Sequence, residues 1–269
     1  MKKLEIGIVL IATNAYFVLG LRFIRRFLHF YKGDADIVFY FFSDKDPKKY
    51  LPTNTNVKWF KENHSDWRAG TNSKFRNIIK LSVTDSDYLF YFDADTNIQK
   101  PFTEEWLLPE PVLEFWDATE ATLKLTGGEH YSNRTTLKDG KGFDRTKGYN
   151  SYVPLDSPMP YTYHYGAFFG GDRDHLINMM TTLAEWQMED QKRGYEPPVN
   201  DESYINKYFH LHPPYTVPIE GFKFVVSDKG GLGDTRRMNL NLKPIEDFIK
   251  LNRDELWDIQ NGLLTYENK

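Results

Sequence analysis

The sequence predicts an α/β fold built on one largely parallel central sheet. Three observations carry this expectation. Apolar runs of strand length recur in the first hundred residues, amphipathic helical stretches alternate with them, and no linker or internal repeat divides the 269 residues. Runs that are apolar throughout, rather than alternating, belong to strands buried on both faces, and strands separated by helices pair in parallel. A chain of this length has ample core for one large domain.

The first strand is expected at about 4–12, Leu4-Glu5-Ile6-Gly7-Ile8-Val9-Leu10-Ile11-Ala12. Lys2 and Lys3 ahead of this run mimic a secretory signal, but the run is short, carries Glu5 and ends in Thr13-Asn14. Phe17 to Tyr31 has apolar residues at helical spacing with Arg22, Arg25 and Arg26 between them, an amphipathic helix. Asp36 to Phe42 reads as a second buried strand and Val57 to Phe60 as a third. Ser73 to Val83 is expected to be helical, with Phe75, Ile78, Ile79 and Val83 as its apolar stripe. A further apolar strand runs from Asp87 into Asp93-Ala94-Asp95.

Beyond Thr103 the pattern is less regular, and Thr126 to Tyr152 reads as a long surface excursion. His175 to Lys192 is expected to be an amphipathic helix facing the core with Leu176, Ile177, Met180, Leu183, Ala184 and Met188. Another helix opens at Asp201, which suits its N-cap, and runs to about Phe209.

Bulk properties exclude several functions. A formal charge of −4 gives no footprint for nucleic acid. The absence of cysteine excludes a disulfide framework, thiol chemistry and a cysteine zinc site, and agrees with a reducing compartment. No apolar stretch approaches the ~20 residues of a membrane helix. A soluble cytoplasmic protein without a membrane span is expected, and nothing in the chain dictates an oligomeric state. The 16% aromatic content suits either a tyrosine- and phenylalanine-rich core or a site that stacks sugars and bases.

Four constellations could carry chemistry. Asp93 and Asp95 end a buried strand, where open α/β sheets place ligands. Hard cations such as Mg²⁺ and Mn²⁺ take one or two carboxylates plus substrate phosphates, although a polar turn gives the same pattern. Tyr165 to Gly171 interleaves aromatic and small residues, as a close backbone approach to a ligand or a glycine turn would. Val199-Asn200-Asp201-Glu202-Ser203 places two acids at a helix start, which fits capping, or a carboxylate beneath an anomeric carbon. Lys229, Arg236, Arg237 and Lys243 in the tail suit a solvated surface or closure over phosphates. The dispersed histidines, and the lack of phosphate-loop and nucleophile-elbow motifs, weaken hydrolase, kinase and esterase readings.

Taken together these stretches resemble glycosyltransferase family 6, which holds the histo-blood-group A and B transferases, α-1,3-galactosyltransferases and bacterial relatives. The closest segments are Phe168-Phe169-Gly170-Gly171 and Asp201-Glu202-Ser203-Tyr204-Ile205-Asn206-Lys207-Tyr208. Trp67, the approach to Asp93-Ala94-Asp95, and Tyr152-Val153-Pro154 add support, over roughly residues 4–225. The resemblance implies a GT-A fold, one Rossmann-like catalytic domain over 1–269. Its nucleotide half would cover about 1–100 and its acceptor and catalytic half about 101–227, with a tail at 228–269 that closes over UDP. It also implies retaining transfer of galactose or N-acetylgalactosamine from a UDP donor to a glycan acceptor, forming an α-1,3 bond.

Within that resemblance, Asp93 and Asp95 match the metal-binding pair for Mn²⁺, with Mg²⁺ as the alternative, and Ala94 lies between them. Glu202 matches the catalytic carboxylate, and Asp201 its donor-contacting neighbour. Ile11, Ala12, Thr13 and Tyr16 fall where uracil and ribose are held, and Lys74 where the family has an arginine, with Arg76 close by. Tyr165, Gly166 and Ala167 occupy the segment that separates the two donors, and the Ala167 methyl leans toward galactose. His130 and Asn200 fall at acceptor positions. Asn200, Val199 and Val225 depart from the mammalian pattern, which puts the acceptor in question more than the donor. A GT-A transferase using UDP-glucose, or a silent glycan-binding module, are the alternatives. The start near the catalytic domain resembles the short bacterial-type members.

Overall fold

The computed structural model describes residues 2–14, 16–65, 67–98, 101–104, 130–136, 143–154, 162–212, 214–218 and 225–226. In chain order the elements are β1 (Glu5–Ile11), α1 (Tyr16–Phe30), β2 (Asp36–Ser43), β3 (Val57–Lys61), α2 (Trp67–Ile79), β4 (Tyr88–Asp93) and β5 (Asn97–Ile98). Then follow β6 (His130–Thr136), β7 (Thr162–Asp172), α3 (Arg173–Lys192), α4 (Asn200–Leu211), β8 (Tyr215–Pro218) and β9 (Val225–Val226).

Seven strands form one sheet in the order β3-β2-β1-β4-β7-β6-β8, and β5 pairs with β9 separately. The pairings β1–β2, β1–β4, β2–β3 and β6–β8 are parallel; β7 runs antiparallel to both β4 and β6. The expected α/β architecture is therefore present, with one reversed strand inside the sheet.

Strand alternation divides the core in two. Ile6, Ile8, Leu10, Phe39, Phe41, Phe90, Phe92 and Phe168 pack against α1 on one face. Val9, Val38, Tyr40, Phe42, Leu89, Tyr91 and Phe169 face the other way, toward α2, α3 and α4. Covering both faces is why the strands read as unbroken apolar runs. Burying each of these large side chains contributes roughly 1.5–3 kcal/mol. Many aromatic residues are thereby absorbed by the core, including Phe23, Phe27, Phe75 and Tyr204.

From β1 the chain builds outward through β2 and β3, then returns to the other side of β1 as β4. The crevice at such a reversal, beyond the carboxyl ends of the strands, is where doubly wound sheets bind ligands. Here Ile11 at the end of β1 lies in register with Asp93 at the end of β4.

Several sequence expectations are corrected. The second helix begins at Trp67, not Ser73, and passes into a 3-10 turn over Lys80–Val83. That tighter turn rotates Val83 out of the stripe, leaving it 87% exposed. On α3 the buried face is Leu176, Met179, Met180, Leu183, Ala184, Gln187 and Asp190, while Met188 is exposed. Gln187 and Asp190 are buried because Gln187 donates to Asn72 and Asp190 accepts from Asn150. Within the expected surface excursion, residues 130–136 form β6 inside the sheet. Residues 165–171 are strand, not a glycine turn; a Cβ on Gly170 would stand 2.4 Å from the Phe90 ring and 2.5 Å from the Leu89 carbonyl. The proposed UDP-closing tail, with its four basic residues, lies outside the described residues.

Candidate active site

Strand period brings Tyr91 and Asp93 to the same side of β4. The buried Tyr91 hydroxyl donates to Asp93 Oδ1 at 2.7 Å. Burial, then the Asp93 charge, pushes the Tyr91 phenol well above its ordinary value, so it remains a donor. Asp95 follows in the turn, its backbone carbonyl 3.4 Å from Arg22 Nη2. Burial, reinforced by Asp93, raises the Asp95 carboxyl to about 6. Two hard oxygen donors two residues apart fit a divalent cation whose remaining ligands come from substrate phosphate.

Lys74 stands at the centre of the site. It is 4% exposed on α2, and its ammonium reaches the Gly166 carbonyl at 2.9 Å, Asp201 Oδ2 at 2.5 Å and Asp93 Oδ1 at 3.7 Å. It also lies 4.5 Å from the Tyr91 ring centroid, a cation–π contact. Burial works against the charged form, but Asp201, Asp93 and Glu202 together outweigh it and hold the ammonium above its ordinary value. Burial raises the Asp201 carboxyl in spite of Lys74. Arg76, the other candidate for this position, is exposed.

This pairing corrects the capping role expected of Asp201. Helix α4 starts at Asn200, and Val199 in front of it supplies no side-chain cap. Asp201 is 2% exposed and points to Lys74. Asn200 itself has φ +43°, a left-handed conformation that asparagine tolerates better than most residues.

The neighbouring acid, Glu202, is half-buried, and its Oε1 accepts from the Gly166 amide at 2.8 Å. Gly166 has little room for a side chain: a Cβ there would sit 2.9 Å from Glu202 Cγ, 3.1 Å from Asp201 Oδ2 and 3.3 Å from Lys74 Nζ. Asn206, one turn along α4, donates to the Glu202 carbonyl at 2.7 Å and to the His164 carbonyl at 2.9 Å, and accepts from the His164 amide at 2.8 Å. That amide staples α4 to β7 two residues before Gly166. Ala167 is half-buried, and Tyr165 takes its place in the backbone of β7.

Across the crevice, Ala12 N donates to the Phe42 carbonyl at 2.8 Å and Tyr16 N to the Thr13 carbonyl at 3.1 Å. Ala12, Thr13 and Ala94 are buried, while Ile11 and Tyr16 are half-buried. The geometry thus gathers Lys74, Asp93, Gly166, Asp201 and Glu202, with Asp95 and the 11–16 segment at the ends of the adjoining strands. It does not gather His130. That residue pairs with Gly171, about 13 Å along β7 from Ala167 at ~3.3 Å per residue. Arg134, Thr135 and Thr136 are the β6 residues in register with the site end of β7. Val225 pairs with Ile98 on the small second sheet.

The model of glycosyltransferase family 6 matches residues 1–220. The chain belongs to glycosyltransferase family 6. Similar proteins include two from Rattus norvegicus, histo-blood group ABO system transferase 2 and transferase 1, at 25% and 24% identity over 232 residues. Those matches cover 81% of this chain and 62% and 60% of the rat proteins, so the chain spans about three-fifths of their length. The O-antigen biosynthesis glycosyltransferase WbnI of Escherichia coli is 25% identical over 180 residues, 65% of this chain and 69% of that protein. The family-6 match takes in both strand ends, α2, β7 and α4.

Sequence reasoning missed several residues of this family-6 site. Tyr91 has a readable signal, its i, i+2 spacing to Asp93 on one strand. Asn206 is i+4 from Glu202 within a quoted motif, but its staple to β7 is visible only in three dimensions. Among the described residues, no helix is long and apolar enough to cross a membrane.

Proposed function

We propose that this family-6 protein transfers galactose, or N-acetylgalactosamine, from a UDP donor to a glycan hydroxyl with retention, forming an α-1,3 bond. One observation carries the proposal: the Glu202 carboxylate is held by the Gly166 amide at 2.8 Å, beside the ion pair that ties Asp201 and Asp93 to Lys74. A positioned carboxylate next to a site for a diphosphate is what a glycosyl transfer with oxocarbenium character requires.

In this account Ile11, Ala12, Thr13 and Tyr16 bind the nucleoside, and Asp93 and Asp95 hold Mn²⁺. When bound, that cation neutralises charge on the departing diphosphate. Asp201, with its carboxylate fixed by Lys74, orients hydroxyls of the donor sugar. Glu202 faces the sugar from the side opposite the leaving group. The bond from the anomeric carbon to the diphosphate oxygen breaks, and the bond to the acceptor oxygen forms. The acceptor proton leaves toward the departing diphosphate. Glu202 serves either as nucleophile in a two-step route or as counter-charge to the cation in a one-step route. Asn200, at the start of α4, belongs to the acceptor side.

Ala167 adds one methyl where a glycine would leave room for an acetamido group, which leans toward galactose, since one methyl in a pocket is worth about 1–3 kcal/mol. UDP-galactose, UDP-N-acetylgalactosamine and UDP-glucose tested against a glycan array, with Mn²⁺ and with chelator, examine the proposal. Metal-dependent transfer from UDP-galactose above the others is expected. Preference for UDP-glucose, or full activity in chelator, would overturn the donor or the metal assignment.

A further inference from the structure

His64 lies just beyond β3, 7% exposed, and links two parts of the donor side. Its Nε2 is 2.8 Å from Ser73 Oγ on α2, and its Nδ1 is 3.2 Å from Thr13 Oγ1 after β1. Ser73 precedes Lys74 in the chain, and Thr13 follows Ala12.

Proton counting gives each bond its direction. Lys80 can only donate, and it reaches Asn77 Oδ1 at 2.8 Å. The amide nitrogen of Asn77 therefore faces Ser73, with Nδ2 3.1 Å from Oγ. Ser73 Oγ also lies 2.8 Å from the Gly70 carbonyl oxygen. Two oxygens that close need a proton between them, and only Ser73 has one to give. Ser73 must then accept from His64, which places the ring proton on Nε2. Burial pushes the imidazole below its ordinary value, so the ring is neutral at pH 7. Its Nδ1 is a bare acceptor, and the Thr13 hydroxyl donates to it. The adjacent Asn14 donates through Nδ2 to the His64 carbonyl at 2.9 Å and through its backbone N–H to Asp44 Oδ1 at 2.8 Å.

We propose that His64 is a positioning residue of the donor-side loop: a neutral imidazole, protonated at Nε2, that aligns the Thr13 hydroxyl and ties residues 12–14 to the helix carrying Lys74. The inference rests on the transferase reading, which makes that loop donor-binding. Glu62, whose Oε1 is 3.7 Å from Nε2, and Asp44 favour ring protonation, while Lys80 and Arg76 oppose it. Protonation puts a hydrogen on Nδ1 and reverses the Thr13 contact, so the hydroxyl must accept there and its own proton turns away from the ring; this misaligns the hydroxyl, and donor affinity falls on acidification below the ordinary histidine value.

Long-range ¹H–¹⁵N NMR of the wild type at pH 7.5 reads the tautomer directly. Nε2–H is expected, and Nδ1–H or an imidazolium would overturn the proposal. With UDP-galactose as donor, His64→Phe and Thr13→Val should each raise donor KM about 5–10-fold with kcat within about twofold, the scale of one lost hydrogen bond. His64→Gln keeps one donor and one acceptor and should recover most of the loss. The donor KM of the wild type relative to His64→Gln should rise toward pH 5.5. Donor KM unchanged in all three variants, with an active wild type, overturns this inference alone. A wild type that turns over no UDP-hexose instead defeats the transferase reading. Should His64→Phe fail to fold, Thr13→Val and the tautomer measurement still decide.

Discussion

Replacing Lys74 with methionine removes a buried ammonium and keeps most of the side-chain volume. Asp201, 2% exposed, then loses its 2.5 Å partner, and the Gly166 carbonyl loses a donor. Breaking a buried pair by deleting one member costs about 3–5 kcal/mol. At about 2 °C per kcal/mol for a chain of this size, Tm should fall about 6–10 °C. The sign of the pH effect follows from the carboxyl. With Lys74 gone, burial and then Asp93 raise Asp201, against the smaller opposing effect of its backbone hydrogen bond. A carboxyl raised in the folded state binds more protons there than in the unfolded chain, so its stabilisation is present at acid pH and lost as pH rises. Lys74→Met should therefore be least impaired near pH 5 and most impaired near pH 8. The added change Asp201→Asn should recover part of the loss, because the uncompensated charge goes with it. Urea unfolding of the four proteins at several pH values measures this cycle. A loss under 1 kcal/mol, or a penalty that shrinks as pH rises, would refute the reasoning.

Two further outcomes follow from the same geometry. Gly166→Ala forces Glu202 Cγ away from a contact of 2.9 Å, and kcat should fall about 10–100-fold while UDP still binds by calorimetry. Asp144→Ala strips the shared acceptor from Ser151 Oγ, Tyr195 Oη and Thr146 N, and should cost about 2–4 kcal/mol in urea unfolding. Burial works against the Asp144 charge, but those donors hold its carboxyl below 3.8, so its contribution is present above that pH and is lost as pH falls through the lowered value. Below that range the variant and the wild type should converge.

The parts of the fold that were legible in sequence are those where burial is complete. Strands β1, β2 and β4 are covered on both faces, so their apolar runs are uninterrupted, and α1 turns one stripe to the sheet. The parts that were not legible are those where tertiary contacts override local preference. Residues Gly70, Thr71, Asn72 and Ser73 are weak helix formers. They are helical here because Ser73, Lys74 and Asn77 find buried partners. Strand β7 contains three glycines, which weaken strand propensity, and it is held by pairing on both sides with β4 and β6. The site divides in the same way. Asp93 and Asp95 announce themselves by position, whereas Asp201 resembles a cap until Lys74, 127 residues earlier, is brought against it. His130 matched an acceptor position by alignment, but strand register carries it to the other end of β7.

The central claim is that Glu202 acts on the sugar that the Asp93–Asp95 side of the crevice holds. Turnover and UDP affinity of Glu202→Gln, measured together with UDP-galactose and Mn²⁺, test it most directly. The substitution keeps the side chain's length and leaves an oxygen for the Gly166 amide. The account predicts a drop in kcat of at least about 100-fold with UDP affinity within a few-fold of wild type. Near-normal turnover would contradict it.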